Sequence, residues 1–488
     1  MGSLWRGALT AASMAVVSGV AAAIGVVIAR EFGRSAETDG LLAAYGLFVV
    51  ISIGAQAIRV AILPQLALAR QEGRLAGELA GFALALAVVS VPLLLVAELG
   101  AGQLAALLTG DSSGESQETA ADVVRWMVPA GIAHLFAAVA ASGLAAIDDY
   151  GTAALGYALG SASGLVLVLT RVEADGIIAV AWGMTLNGTV ALLIPAVGLA
   201  LHAARLRMPA TAVRPGETRV RARLGIFAIG GALPLALQLL YVVCLPFASR
   251  LGTGSATTFV YAYLAGSAIV TVTAGSLGLV TAAPLSRAGW DPSTAARHVV
   301  ASAWLVLALV GAAAGVFALA GGDLVEAALG DAYEGETGSE VGRLVVALSA
   351  WMIATVGVTV TFPLSFIARR TRNLPWIAIA AVAVQAPLAW AGAELAELEG
   401  LAIALAASTL LVLGALLFEL RMLVPVLYGL LAAAAVVLLL SLAAFVPPAF
   451  LLGSLASAAV GLVLYGALVL VVRPPGLMAS WRYLRLLS

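Results

Sequence analysis

The chain has 488 residues, of which 62% are hydrophobic and only 10% are charged. Soluble proteins average about 45–50% apolar and about 25% charged residues, and so few charges could not cover the core of a soluble fold of this size. The composition therefore excludes a soluble globular protein. It predicts an all-α polytopic membrane protein that is surrounded by membrane lipids.

The charge balance and the rarer residues exclude several functions. A net charge of −1 provides no basic field, so we expect no nucleic acid partner. The single cysteine, Cys244, excludes an internal disulfide, and three scattered histidines give no zinc-ligand spacing. The GxxxxGK motif is missing from the sequence. The sequence thus predicts no catalytic residue, no metal and no cofactor, and a protein that is not an enzyme.

Fourteen apolar stretches are long enough to cross a membrane, which requires about 20 residues. The first follows Arg6 and runs over about 22 residues, longer than the apolar part of a signal peptide, so we expect it to be retained. The predicted spans are residues 8–29, 40–69, 75–98, 122–146, 152–170, 176–203, 224–249, 256–285, 298–320, 343–368, 374–393, 400–419, 423–445 and 450–472.

Arginine sets the expected orientation, because cytoplasmic connectors carry an excess of basic residues. With the N-terminus inside, eighteen arginines fall in or beside the inner connectors and six in or beside the outer ones, while Arg59 lies within the second span. This distribution predicts that both termini are cytoplasmic. It also predicts a multi-pass protein of the bacterial cytoplasmic (inner) membrane.

A basic connector divides the chain after six spans, so both parts enter the membrane in the same direction and a parallel repeat can form. Gly33 precedes Pro64 by 31 residues, and Gly252 precedes Pro284 by 32, which supports such a repeat. We predict an N-terminal six-helix lobe at 1–203, a basic cytoplasmic linker at 204–223, a C-terminal six-helix lobe at 224–420, and two additional helices with a short cytoplasmic tail at 421–488.

Several short motifs occur in the order of a known family. They are AREFG at 29–33, TD at 38–39, LP at 63–64, DDYG at 148–151, GIIAVAWG at 176–183, YA at 261–262 and PLSR at 284–287. Together with fourteen spans and cytoplasmic termini, this order resembles the lipid II flippases of the MurJ/MviN type. That family belongs to the multidrug/oligosaccharidyl-lipid/polysaccharide exporter superfamily.

The resemblance implies two six-helix lobes around a central cavity, lined by helices one, two, seven and eight. It also implies alternating access, with a lipid-linked saccharide carried outward for peptidoglycan or other cell-envelope synthesis. The family's arginines in helices one, two and eight have no counterpart here; Leu264, for example, stands where an arginine is expected. The resemblance therefore implies a divergent member and leaves the identity of the lipid-linked substrate open.

Arg59 is the first candidate for substrate binding, because an arginine within a span costs several kcal/mol on insertion scales and usually faces a cavity or a partner. Gln56 lies on the same helical face. The alternative for Arg59 is a side chain that snorkels to lipid headgroups, and for Asp39 it is a helix cap. The further candidates for substrate binding are Asp39, Gln238, Tyr261, His134 and Asn187, and the candidates for the cavity rim are Arg30 and Arg250.

Three functions fit these features. The first is a flippase-like transporter of a lipid-linked saccharide or cell-envelope precursor. The second is a drug or small-cation exporter of the same superfamily, which would need acidic residues deep in the membrane. The third is a membrane scaffold without transport activity, whose partners would be cell-envelope synthesis proteins.

Overall fold

The computed structural model describes residues 3–110, 113–205, 220–270 and 291–480. All regular structure in these ranges is helical, which confirms the predicted all-α class. Within the described ranges, eleven helices are long and apolar enough to cross a membrane. The chain divides into two compact units, residues 1–254 and 255–488.

The described part of unit 1 contains eight helices. Its most extensive packing is that of α2 against α5, while α8 packs on α2 and α3, and α6 packs on α1 and α7. The helices are α1 (Ser3–Phe32), α2 (Ala36–Gln71), α3 (Leu75–Leu99), α4 (Ala101–Thr109), α5 (Gly114–Ala146), α6 (Tyr150–Asp175), α7 (Ile178–Arg205) and α8 (Val220–Arg250).

Unit 2 contains the remaining helices, and α10 is its hub, because α11, α12, α14 and α15 all pack against it. A turn of 3-10 helix at Asp331–Tyr333 precedes α11. The helices are α9 (Ser255–Val270), α10 (Pro292–Leu329), α11 (Glu336–Ala347), α12 (Ser349–Ile367), α13 (Leu374–Glu419), α14 (Leu423–Ala449) and α15 (Ser454–Val472).

The segment α13 is two antiparallel helices rather than one. Ala396 and Glu397 leave helical geometry, and the φ of Glu397 is 49°. The two ends of the segment meet, because the Asn373 amide donates to the Glu419 carboxylate at 3.2 Å. The hairpin thus supplies both predicted spans at 374–393 and 400–419. A described helix accordingly lies at each of the fourteen predicted positions, although part of the span at 256–285 lies outside the described residues.

The structure corrects one predicted span boundary and one predicted connector. The tenth span does not start at residue 343, because α11 continues to Ala347 and α12 begins at Ser349. The connector at 321–342 contains the end of α10, a 3-10 turn and part of α11 rather than a plain loop. The short helix α4 was not predicted. Both α4 and α11 are shorter than the run of about 20 apolar residues that a span requires. A search for spans in the sequence therefore does not find them.

Small residues bring several helices of unit 1 into close backbone contact, as is common in membrane proteins. A Cβ at Gly164 would lie 2.6 Å from the Gly183 carbonyl oxygen on α7, and one at Gly160 would lie 2.7 Å from the Asn187 carbonyl oxygen. A larger residue at either site would push α6 and α7 apart. The glycines of α6 are therefore explained by packing.

Candidate functional site

Arg59 lies within α2, far from both of its ends. About 18 Å of helix separates it from the last residue of α2, Gln71, at a rise of about 1.5 Å per residue. The side chain is half-buried. Among the described residues, no carboxylate forms an ion pair with it. A positive charge without a carboxylate partner inside a membrane helix is costly and is typical of a functional position.

A row of aromatic rings packs between α2, α5 and α6 in unit 1. The Phe48 ring on α2 is 5.8 Å from the His134 ring on α5, in an edge-to-face arrangement. His134 in turn stacks on Tyr157 of α6, with 6.3 Å between ring centroids. Tyr45 stacks on Phe48 at 5.8 Å. The row connects three helices, so the rings fix how α2, α5 and α6 pack together.

Arg59 belongs to the same part of unit 1, because its charge acts electrostatically on the Tyr157 phenol. Residues 48, 52 and 59 share one face of α2 by the helical period of 3.6 residues. The hydroxyl of Ser52, on this face, is buried and has no hydrogen-bond partner among the described residues. The face therefore combines a guanidinium, rings and a polar group that can each contact a polar ligand.

The structure relates two of the predicted residues through Tyr157: His134 stacks on its ring, and the Arg59 charge acts electrostatically on its phenol. Sequence reasoning missed Tyr157 itself. The side chain of Gln56 lies outside the described residues. A tyrosine among the glycines of α6 carries no local signal, because its role depends on α2 and α5, which are distant in sequence.

A second site lies where α2 and α5 begin and α8 ends. Asp39 is buried there, and its carboxylate accepts a hydrogen bond of 2.6 Å from the Gly254 N–H. The Arg34 guanidinium donates to the Gly254 carbonyl at 3.3 Å. Gly254 has a φ of 83°, a conformation that favours glycine. Both sides of this glycine are thus held by charged side chains of the α2 region.

Asp39 does not cap α2, contrary to one sequence interpretation. The cap is Ser35, whose hydroxyl accepts from the Thr38 N–H at 3.2 Å. Asp39 follows Thr38 in the first turn of α2, and its carboxylate accepts from the Gly254 N–H instead of from the N–H groups of its own helix end. A long-range contact to the end of α8 determined the orientation of this side chain, and the sequence contains no sign of it.

The Asp39 pocket, defined by Asp39, Ser116, Ser249 and Arg250, has a volume of about 460 Å³. It lies entirely within unit 1. Arg250 ends α8 and places its guanidinium 5.7 Å from the Phe247 ring centre. The structure therefore brings together Asp39 and Arg250, which the sequence placed in different roles.

The remaining candidates lie apart from these two sites. Asn187 packs against Gly160 and Gly164 of α6, and its side-chain oxygen is buried without a described partner. Tyr261 lies in unit 2, where its ring meets Tyr333 edge-on at 5.5 Å. Gln238 lies half-buried in the middle of α8, and Arg30 is exposed in the last turn of α1. Their roles in substrate binding or at a cavity rim stay predictions.

Comparison with known proteins identifies the fold. Neither the models of known protein families nor the sequences of curated proteins match this chain. A structure of the lipid II flippase MurJ in an inward closed conformation matches with a TM-score of 0.73 and 15% identity, over 95% of this chain and 97% of that one. The chain has the fold of MurJ. The architecture that the family resemblance implied, a membrane protein of about fourteen helices, is thereby confirmed.

Transporters of the MATE type share this MurJ-like fold. An inward-facing multidrug resistance MATE transporter of the MOP superfamily matches with a TM-score of 0.61 and 16% identity, over 86% of this chain and 94% of that one. The eukaryotic MATE transporter AtDTX14 matches with a TM-score of 0.55 and 15% identity, over 88% and 97%. At these identities the likeness establishes the fold, and the site must supply the argument for function.

Proposed function

We propose that the chain is a flippase-like transporter, which moves a lipid-linked saccharide or another cell-envelope precursor across the bacterial cytoplasmic membrane by alternating access. The fold supports this proposal, since MurJ is a lipid II flippase and matches nearly the whole chain. We further propose that both termini are cytoplasmic. We also propose that cell-envelope synthesis proteins are its partners in the membrane.

The observation that carries the proposal is the position of Arg59. A lipid-linked saccharide of this class has an anionic phosphate or diphosphate, and guanidinium pairs with phosphate in a bidentate manner. Arg59 is half-buried within α2, lacks a described carboxylate partner, and acts electrostatically on Tyr157, which stacks on His134. A cationic contact beside aromatic rings suits a phosphate joined to a sugar.

An apolar groove in unit 2 supplies a second requirement. The groove measures about 610 Å³ and lies between α10, α12 and α14. Gly311 and Gly315 of α10 line it together with Phe445 of α14, whose ring packs directly on Gly315. A groove of this kind can hold a hydrocarbon chain, which a lipid-linked substrate contains.

The structural match to MATE transporters favours a drug or small-cation exporter as a second candidate. Such a protein would attract its cation with carboxylates in the membrane. In the described ranges, the middle parts of the membrane-spanning helices contain no aspartate or glutamate, whereas Arg59 would repel a cation. The charges therefore favour transport of an anionic substrate over export of a cation. A membrane scaffold without transport activity stays as the other alternative.

Replacement of Arg59 tests the proposal. In proteoliposomes that contain a fluorescent polyprenyl-diphosphate saccharide, Arg59→Ala should reduce the transport rate at least about tenfold, which corresponds to about 1.4 kcal/mol. Arg59→Lys should restore part of the rate, because a point charge lacks the bidentate fork. The measurement is protection of the fluorophore from a quencher that cannot cross the membrane.

The matched control is Arg125→Ala. Arg125 is an exposed arginine of α5 that pairs with Asp122 at 2.9 Å, and an exposed pair of this kind contributes little. Equal transport by Arg59→Ala and Arg125→Ala, at equal protein per vesicle, would show that Arg59 does not contact the substrate. Absence of transport by the unaltered chain would favour the scaffold, and transport of a cationic dye in its place would favour the exporter.

A further inference from the structure

The Asp39 pocket contains two buried hydroxyls without partners. Ser116 of α5 is 1% exposed and Ser249 of α8 is 6% exposed. Both line the pocket, and neither hydroxyl has a hydrogen-bond partner among the described residues. A buried hydroxyl without a partner is unfavourable in a folded protein. A ligand that forms hydrogen bonds with both would remove this cost.

The charges around the pocket select the class of ligand. Asp39 and Arg250 both line it, so the wall combines one negative and one positive side chain. Arg250 disfavours a metal cation, and Asp39 disfavours a phosphate or other anion. A neutral ligand is compatible with both side chains.

The remaining lining groups are rich in hydroxyls. Ser113 and Thr253 join Ser116 and Ser249 at the wall, and each hydroxyl can both donate and accept hydrogen bonds. Such a wall matches a ligand whose own groups donate and accept, as the hydroxyls of a sugar do. The volume of about 460 Å³ lies in the range of small-molecule sites, about 300–1,000 Å³.

We propose that the Asp39 pocket binds a neutral pyranose sugar. The inference rests on the proposed function insofar as that sugar is the saccharide part of the transported lipid. The pocket would then be a second contact for the saccharide, separate from the phosphate contact proposed at Arg59. A free sugar has the same chemistry, so the experiment compares the two sources.

The test uses protection of an introduced cysteine. Cys244, the single cysteine of the chain, is buried, so a Cys244→Ser background gives a protein without other thiols. Thr253→Cys places a thiol on an exposed residue at the pocket wall, and Leu251→Cys places one on an exposed residue nearby that does not line it. The full chain is held in lipid nanodiscs without glycolipid or sugar detergent, and the rate of maleimide labelling is measured.

N-acetylglucosamine and glucose are the free probes, sorbitol is the open-chain control, and a polyprenyl-diphosphate disaccharide is the lipid-linked probe. We expect at least one pyranose probe to slow labelling of Thr253→Cys at least about threefold and to leave Leu251→Cys unchanged. Protection by the lipid-linked probe at a much lower concentration than by the free sugars would assign the site to the transported lipid. Protection by free sugars alone would assign it to a soluble sugar.

A paired substitution separates binding from structure. Ser116→Ala with Ser249→Ala removes both hydroxyls, so half-protection should need about tenfold more sugar. The thermal unfolding midpoint without sugar should stay equal or rise, because the two unpartnered hydroxyls are gone. A lower midpoint with unchanged protection would show that the serines are structural and would overturn the proposal.

Two further results would also overturn it. One is equal labelling of Thr253→Cys with and without every pyranose probe. The other is equal protection by sorbitol or by sodium chloride. The labelling experiment and the transport assay test different proposals. Protection without transport would support the sugar site and refute the proposed function. Transport without protection would support the proposed function and refute the sugar site.

Discussion

The ion pair at the start of α8 allows a stability prediction to be worked out in detail. Arg223 is 7% exposed and donates to the Glu78 carboxylate of α3 at 2.9 Å. Its guanidinium also lies over the Phe82 ring, 5.3 Å from the centre, and packs directly on Gly81. The same carboxylate lies 3.4 Å from Arg74, whose side chain is 51% exposed. One glutamate thus has a buried and an exposed arginine partner.

The two arginines should differ in their contribution to stability. Removal of one partner from a fully buried pair costs about 3–5 kcal/mol, because the other charge stays buried. The Glu78 side chain is 24% exposed, so solvent screens part of this interaction. We therefore expect Glu78→Gln to lower the free energy of unfolding by about 2 kcal/mol. An exposed pair contributes about 0–1 kcal/mol, and Arg74→Ala should change stability by less than about 0.5 kcal/mol.

The buried pair should also be asymmetric. Arg223→Met should cost about 1 kcal/mol, less than Glu78→Gln, because Glu78 keeps Arg74 and solvent. This substitution also removes one nitrogen of Arg223 that is buried without a described partner. The measurement is reversible unfolding in mixed micelles by titration with dodecyl sulfate, followed by circular dichroism. The set consists of the three single variants and the double variant of the buried pair.

Equal costs for Glu78→Gln and Arg74→Ala, within about 0.5 kcal/mol, would refute this reasoning. A coupling energy near zero between Glu78 and Arg223 would refute it as well, because the two effects would then be independent of the hydrogen bond between them.

Three more predictions follow from packing, hydrogen bonding and charge. Gly400→Ala would drive its Cβ into the backbone of the other half of the α13 hairpin, so it should lower the free energy of unfolding by about 3 kcal/mol in the same titration. Gly466 has open space around it, so Gly466→Ala should leave the free energy of unfolding unchanged or raise it. Asp39→Ala removes the acceptor that lies 2.6 Å from the Gly254 N–H, so it should lower the free energy of unfolding by about 1.5–3 kcal/mol. Asp39→Asn should lower it less, and an equal loss of stability in both variants would show that the charge matters rather than the hydrogen bond. A reporter fused after Ser488 should be cytoplasmic and one inserted at Gly335 external, and a cytoplasmic reporter at Gly335 would contradict the orientation from arginine.

The spans could be predicted from the sequence because the signal is local. About 20 consecutive apolar residues are needed to cross the hydrocarbon core, and that property can be read without knowledge of any neighbour. The hairpin of α13 is an example of spans that local hydropathy predicts correctly. Hydropathy and three acidic residues between 393 and 400 predict two spans there, and the structure folds them back at Ala396 and Glu397.

The helix ends and the short helices depend on more than hydropathy. The sequence placed the start of the second span near Asp39, but Ser35 caps α2 and lengthens it. The amphipathic helix α11 falls partly in a predicted connector and partly in the next predicted span. Its first residues are mostly polar, and its apolar end from Leu344 to Ala347 runs on into α12, so hydropathy shows no boundary between the two helices.

The candidate sites were decided by tertiary structure. In a membrane, packing faces are as apolar as lipid-facing ones, so the sequence pattern does not reveal which faces meet. Arg59 can be singled out because a charge within a span is unusual, whereas nothing in the sequence points to Tyr157 on α6, on which that charge acts. Ser116 and Ser249 form one pocket with Asp39 because three helix ends converge. The sequence by itself determined how many helices cross the membrane, and only the packing of those helices determined which polar groups meet between them.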